Sequence, residues 1–226
     1  MHIGHNHSTK YHIEQDNQTY DLDSVDEEKD LGVITTHDLK FSKQCNEAAK
    51  KAMRVLGLVK RYFRNLDIAT FRLLYKSFIR LHLEYSVQAW SPCLRSDIDC
   101  LEKVQRRATK LVQGFQNMCY EERLRRLDLT TLEKRRIRGD LIETFKIVTN
   151  RENIDSRQFF TVRESLHELR GHRYTLYKPQ CHLSVRQHFF SHRVINSWNS
   201  LPDDVVSATS VNSFKSRVDK CSDWGI

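Results

Sequence analysis

Helix breakers are scarce in this chain. Only three prolines and seven glycines occur in 226 residues, which suits long helices far better than a many-stranded sandwich. After Leu39-Lys40-Phe41 the apolar residues fall into helical step. Cys45, Ala48, Ala49, Ala52, Met53, Leu56, Val59 and Phe63 recur every three or four residues, with Lys50, Lys51, Arg54 and Lys60 opposite them. This is one apolar stripe of an amphipathic helix, and Ser42 is the expected N-cap. Asp67 is expected to cap a second helix with Phe71, Leu74, Tyr75, Phe78, Ile79 and Leu83 inward, apolar enough to be central.

Pro92 breaks the chain, and Ser96 with Asp99 three residues later resembles a capping box. A third helix follows, with Ile98, Leu101, Val104, Ala108 and Leu111 on its inner face. Glu121-Glu122 opens a short fourth helix with Leu124 and Leu127, and Thr131 opens a fifth with Leu132, Ile137, Leu141, Phe145 and Val148 inward. Residues 151–178 read as irregular and include a charged segment over 167–173. Val194, Ile195, Trp198 and Leu201 then share helical spacing, Pro202 ends that element, and Ser210 caps a last short helix through Phe214 and Val218.

The first forty residues differ. Residues 10–14 and 19–22 read as short strands about the turn-prone Gln15-Asp16-Asn17-Gln18, and residues 31–35 as a third β-type run beyond the acidic Asp26-Glu27-Glu28. Such an element is too small to fold well alone. The expected class is mainly α, a helical bundle preceded by a small β-hairpin element, divided at 1–41, 42–150 and 151–226.

A net charge of +8 and a pI near 9.2 favour a polyanionic partner, nucleic acid before an anionic membrane. No run approaches the ~20 apolar residues of a membrane span. The start lacks the basic and apolar regions of a signal peptide. Six cysteines without a C-x-x-C pair read as reduced thiols of an intracellular protein, nuclear or cytoplasmic. The cations concentrate in one stretch: Lys103, Arg106, Arg107, Lys110, Arg123, Arg125, Arg126, Lys134, Arg135, Arg136 and Arg138. The first four stand at i, i+3, i+4 and i+7 and project from one side of their helix. Neighbouring arginines can hold phosphates bidentately, and such contacts position a duplex without reading its sequence. The plainer reading of the same run is a solvated, partly salt-bridged face.

Motifs for catalysis are missing from these residues. There is no Gly-rich phosphate loop, no G-x-S-x-G elbow and no H-E-x-x-H helix. His2, His5, His7 and His12 lack the fixed spacing and Cys or carboxylate partners of a zinc site. Asp203-Asp204 follows a proline and suits a helix start better than a metal site. No small-molecule substrate is expected.

Several blocks resemble the non-LTR, LINE-type retrotransposon reverse transcriptases of the jockey and CR1 kind. Asp30-Leu31-Gly32-Val33 with Leu39-Lys40-Phe41 looks like the run after the catalytic hairpin. Leu74-Tyr75-Lys76-Ser77-Phe78-Ile79-Arg80, His82-Leu83-Glu84-Tyr85 and Ala89-Trp90-Ser91-Pro92 are similar to the family's next blocks. Leu101-Glu102-Lys103-Val104-Gln105-Arg106-Arg107-Ala108-Thr109-Lys110, Tyr120-Glu121-Glu122-Arg123-Leu124, Leu132-Glu133-Lys134-Arg135-Arg136, Arg138-Gly139-Asp140-Leu141 and residues 190–202 continue in order. Each block is short; the ordered series, spanning about residues 1–220, is specific. One departure is Leu81, where the family usually has proline.

The resemblance implies that Met1-His2-Ile3-Gly4 ends a strand of an α+β palm. It makes Leu31, Gly32 and Val33 a primer-grip-like turn, residues 42–150 a thumb that packs on an RNA/DNA template–primer duplex, and residues 151–226 a post-thumb region. The family's catalysis needs three palm carboxylates holding magnesium, two of them in a Tyr-x-Asp-Asp hairpin. No such hairpin occurs in these residues, so the expectation is a polymerase fragment that is no enzyme as it stands and holds no cofactor of its own. Sequence-independent duplex binding is the activity left to it, through Lys103, Arg106, Arg107, Lys110, Arg123, Arg126, Lys134, Arg135, Arg136 and Arg138. The alternatives are a non-functional retroelement relic and a helical protein-interaction module that would use the central helix and the Trp198 cluster as contacts.

Overall fold

A computed structural model describes residues 1, 3, 10–163 and 172–221. His2, His5, His7, the palm-strand residue Gly4 and residues 167–171 of the charged segment lie outside the described residues. The fold is mainly helical, with two small antiparallel hairpins at its start. Strands β1 (His12–Gln15) and β2 (Gln18–Asp21) pair with Ile13 opposite Tyr20, and β3 (Glu27–Asp30) pairs with β4 (Val33–Thr36) with Lys29 opposite Ile34. Both turns are two residues long with positive φ throughout: Asp16 and Asn17 at 52° and 58°, Leu31 and Gly32 at 45° and 87°. Positive φ at both positions matches the twist of paired strands. Glu27 and Glu28 of the acidic run read as a separator therefore lie in a strand; all four residues of β3 are exposed, so the charged side chains on both of its faces stay in water.

Helix α1 (Ser42–Tyr62) buries Cys45, Ala48, Ala49, Ala52, Leu56 and Val59. Ser42 is not its cap: the Oγ donates instead to Asp97 Oδ2 at 2.7 Å, tying the start of α1 to α5 (Arg95–Thr109). Nor does Ser96 cap α5, which begins at Arg95 with Leu94 in the cap position. Asp67 does cap α2 (Ile68–Leu74), accepting from Thr70 N at 2.9 Å. From α2 the helix continues through a π turn (Tyr75–Ile79) into α3 (Arg80–Glu84), passing straight through Leu81. Phe71, Tyr75, Ile79 and Leu83 are buried, whereas Phe78, expected inward, is 54% exposed. A strict four-residue stripe drifts around a 3.6-residue helix. The wider π turn, closed by Arg80 N donating to Tyr75 O, takes up that drift and leaves Phe78 outside.

After α4 (Val87–Trp90) and α5 come α6 (Tyr120–Arg126) and α7 (Leu132–Val148), the latter capped by Thr131. A first core gathers α1, α2, α3, α5 and α6 and ends at Leu132. A second begins at Leu141, further along α7. It includes α9 (Phe190–Asn199), α10 (Asp203–Val206) and α11 (Val211–Lys220), the last capped by Ser210. The 4-residue α8 (Ser184–Gln187) precedes α9. Phe145 stacks on Phe214 at 4.3 Å between ring centroids. Trp198 is wholly buried, donating through Nε1 to Tyr174 O at 2.8 Å and meeting His172 edge-on. It is therefore a core residue and not a contact for a partner. Asp203 and Asp204 sit in the first turn of α10, where carboxylates suit the helix N-terminus.

Candidate nucleic-acid interface

Helix α5 turns Leu101, Val104 and Ala108 into the first core, so its other side is left to Lys103, Arg106, Arg107 and Lys110, all exposed. This row flanks a groove of about 510 Å³ between α5 and α1, with Ala49, Met53 and Val104 in its floor. Lys50 of α1 closes the other edge, held by Glu47 at 2.7 Å. Arg106 leans over the Tyr120 ring at 4.7 Å. Lys103, Arg107 and Lys110 have no ion-pair partner among the described residues. They are cations available to a ligand.

The other expected contacts divide differently. Arg123 is buried; its Nη1 donates to Arg106 O and Thr109 Oγ1, both at 2.7 Å, and its guanidinium faces Tyr120. It clamps α6 to the end of α5 and cannot reach a phosphate in solution. Arg136 is buried as well, 4% exposed. Arg135 forks onto Glu84, with Nη2 to Oε2 at 3.0 Å, and Arg138 forks onto Asp219 at 2.5 and 2.8 Å. Arg126 and Arg125 share Glu122. Lys134 remains exposed and unpaired among the described residues. Of the ten expected contacts, then, the α5 row and Lys134 of α7 stay outward-facing and free of ion pairs among the described residues, while Arg123 and Arg126 of α6 and Arg135, Arg136 and Arg138 of α7 are paired internally or buried. Burial pushes the Arg136 guanidinium below its ordinary pKa against the pull of Glu102 and Glu133. Burial also acts against Arg135, but the Glu84 carboxylate outweighs it and holds Arg135 up.

Beneath the row lies a buried polar network. Gln105 Nε2 donates to Tyr120 Oη at 2.8 Å and to Thr130 O at 3.0 Å, while its Oε1 accepts from Tyr75 Oη. Tyr120 Oη in turn donates to Glu102, whose other oxygen accepts from Leu132 N at 3.0 Å, at the start of α7. Burial first, then the bond to Glu102, drives the Tyr120 hydroxyl far above its ordinary pKa. These bonds tie α5 to Tyr75, α6 and the start of α7 and so fix how α5 presents its cations, because leaving such buried polar groups unpaired is costly.

The turn at Leu31, Gly32 and Val33 is anchored from below. Val33 belongs to the first core, Ile34 N donates to Gln44 Oε1 at 2.9 Å, and Tyr85 Oη donates to Leu31 O at 3.0 Å. Leu31 itself projects at the tip, 83% exposed and in the left-handed region, an unfavourable place for a branched apolar side chain.

Lys50 is a further cation of this groove, beyond those the sequence assigns to binding. Its position on the polar face of α1 was readable, but the pairing of α1 with α5 was not. Two spacings do mark the buried arginines: Arg136 lies four residues from Leu132 and four from Asp140, and Arg123 four from Leu127, all buried. Among the described residues no group of three His, Cys, Asp or Glu side chains is gathered to hold a metal ion. No helix among them is long and apolar enough to cross a membrane. No protein-family model, curated protein or solved structure matches the chain.

Proposed function

We propose that these residues form the thumb and post-thumb part of a LINE-type RNA-directed DNA polymerase, and that α5 holds the backbone of a template–primer duplex without reading its bases. The chain positions nucleic acid and carries no catalytic step itself. The observation that carries this reading is the unpaired cation row Lys103, Arg107 and Lys110, faced by Lys50 across one groove. A cation left unpaired beside so many neutralised ones is the arrangement that gains from a polyanion. The ordered family blocks support the same reading, with the Leu31–Gly32 turn as the primer-grip-like element.

The test is the salt dependence of binding to a short DNA duplex, followed by fluorescence anisotropy. Four phosphate contacts give a slope of log K against log salt of roughly −3.6, and K103Q/R107Q/K110Q lowers its magnitude by about 2.7. Affinity is expected to be the same for unrelated sequences. A flat slope, or an unchanged slope in the triple variant, overturns the proposal. Charge reversal at Arg135 or Arg136 is no substitute, because it breaks the fold before it tests binding.

A further inference from the structure

A second cationic feature lies away from the α5 row. Where α7 and α9 meet the Ser91-Pro92 bend there is a small cavity of about 170 Å³. Arg136, Asp140, Arg193, Glu133, Ser91 and Ser197 supply its polar wall. The charges in that wall are mostly spoken for. Arg193 forks onto Asp140 at 2.8 and 3.0 Å, and Glu133 has Arg95 at 3.7 Å. That leaves Arg136. It is 4% exposed, its Nη1 is buried without any acceptor, and it makes no ion pair among the described residues. A buried guanidinium with a donor nitrogen unmet is costly. A fork of parallel N–H donors is matched best by a planar or tetrahedral oxyanion. Two serine hydroxyls on the same wall can donate to such an anion as well.

We propose that this cavity is a binding site for a small oxyanion of phosphate size, with Arg136 as its principal ligand. The wall itself carries two cations, Arg136 and Arg193, and two carboxylates, Glu133 and Asp140. Arg193 takes Asp140 and the exposed Arg95, outside the wall, pairs with Glu133, so Arg136 is the cation of the wall left without an ion-pair partner among the described residues. The site is separate from the α1–α5 groove and does not depend on that groove binding a duplex.

The experiment is calorimetric unfolding of the full chain while inorganic phosphate replaces chloride at constant ionic strength. At ten times its Kd, phosphate is expected to raise Tm by about 3–6 °C, and beyond that the rise grows with the logarithm of phosphate concentration. In R136M the rise disappears, and Tm in chloride stays at or above that of the parent, because an unmatched charge has been removed. Lys60→Gln, on the exposed end of α1, keeps the rise. Should R136M fail to fold, R136K retains the charge without the fork and weakens phosphate about tenfold. A short DNA duplex identifies the source: competition with phosphate means that a backbone phosphate enters the cavity, and additive effects mean a free anion. A parent protein indifferent to phosphate, or an undiminished rise in R136M, overturns the proposal.

Discussion

A charged side chain near this surface has two fates, and its immediate neighbours decide between them. Arg123 gives up solvent for two oxygen acceptors and the face of Tyr120, whereas Arg107 keeps its water. Asp38 shows the same local control at a carboxylate. The Thr36 hydroxyl and the Lys40 amide both donate to it, at 2.7 and 3.1 Å, and together they lower its pKa from 3.8 to about 2. A depressed carboxylate stabilises the folded turn above its unfolded value and loses that contribution as pH falls through the folded one. The turn between β4 and α1 should therefore hold at pH 4 and loosen towards pH 2. The Lys40 amide resonance is expected to titrate with a midpoint near 2; a midpoint at the ordinary 3.8 would count against this account. At this scale the sequence was only half legible. The i, i+3, i+4, i+7 row on α5 could be read because its apolar complement was clean. The inward arginines were marked only by their four-residue spacing to Leu127, Leu132 and Asp140; composition treats Arg123, Arg136 and Lys103 alike, and contact with Tyr120, Thr109 or a cavity wall is what separates them.

Elements were more legible than their ends. Caps by Asp67, Thr131 and Ser210 stand where the sequence places them, because each polar side chain precedes a clear apolar run. Ser42 and Ser96 fail as caps because tertiary bonding outweighs the local preference; Asp97 takes the Ser42 hydroxyl. The π turn was invisible, since it answers to packing along the 71–75–79–83 stripe and not to any breaker. Within α1 the sequence also leaves room for improvement. Gly57 is helical, and a Cβ built on it would meet nothing within 4 Å. Alanine there restricts the unfolded chain without a clash. Gly57→Ala is expected to stabilise the protein by about 0.5–1 kcal/mol, read as a higher denaturant midpoint at constant m. A lower midpoint would mean that the outer face of α1 at Gly57 is covered by something else.

On the scale of the whole molecule, α7 is the one helix among the described residues that enters both cores, contributing Leu132 to the first and Leu141, Ile142, Phe145 and Ile147 to the second. The passage between them is polar. Asp140 holds Arg193 of α9, and Arg193 reaches back to the carbonyls of Val87 and Gln88 at 3.4 and 3.3 Å. Arg138 meanwhile holds Asp219 of α11. The two cores are separate clusters, joined by one continuous helix and a few charge-assisted bonds. Coupling of that kind is severed most cleanly at Gly139, which lies between the cores and has only ordinary van der Waals space beside it, with Gln88 Nε2 at 3.7 Å. Proline there removes the bond to the Arg135 carbonyl and collides with it, at a cost of about 3 kcal/mol or more. In G139P, amide exchange should stay slow in α1 and α5, whose core is complete without the rest of α7. It should become fast in α9 and α11, which have lost their partner helix. Loss of protection across all four helices together would mean instead that the two cores fold as a single unit, with α7 as its centre and not its link.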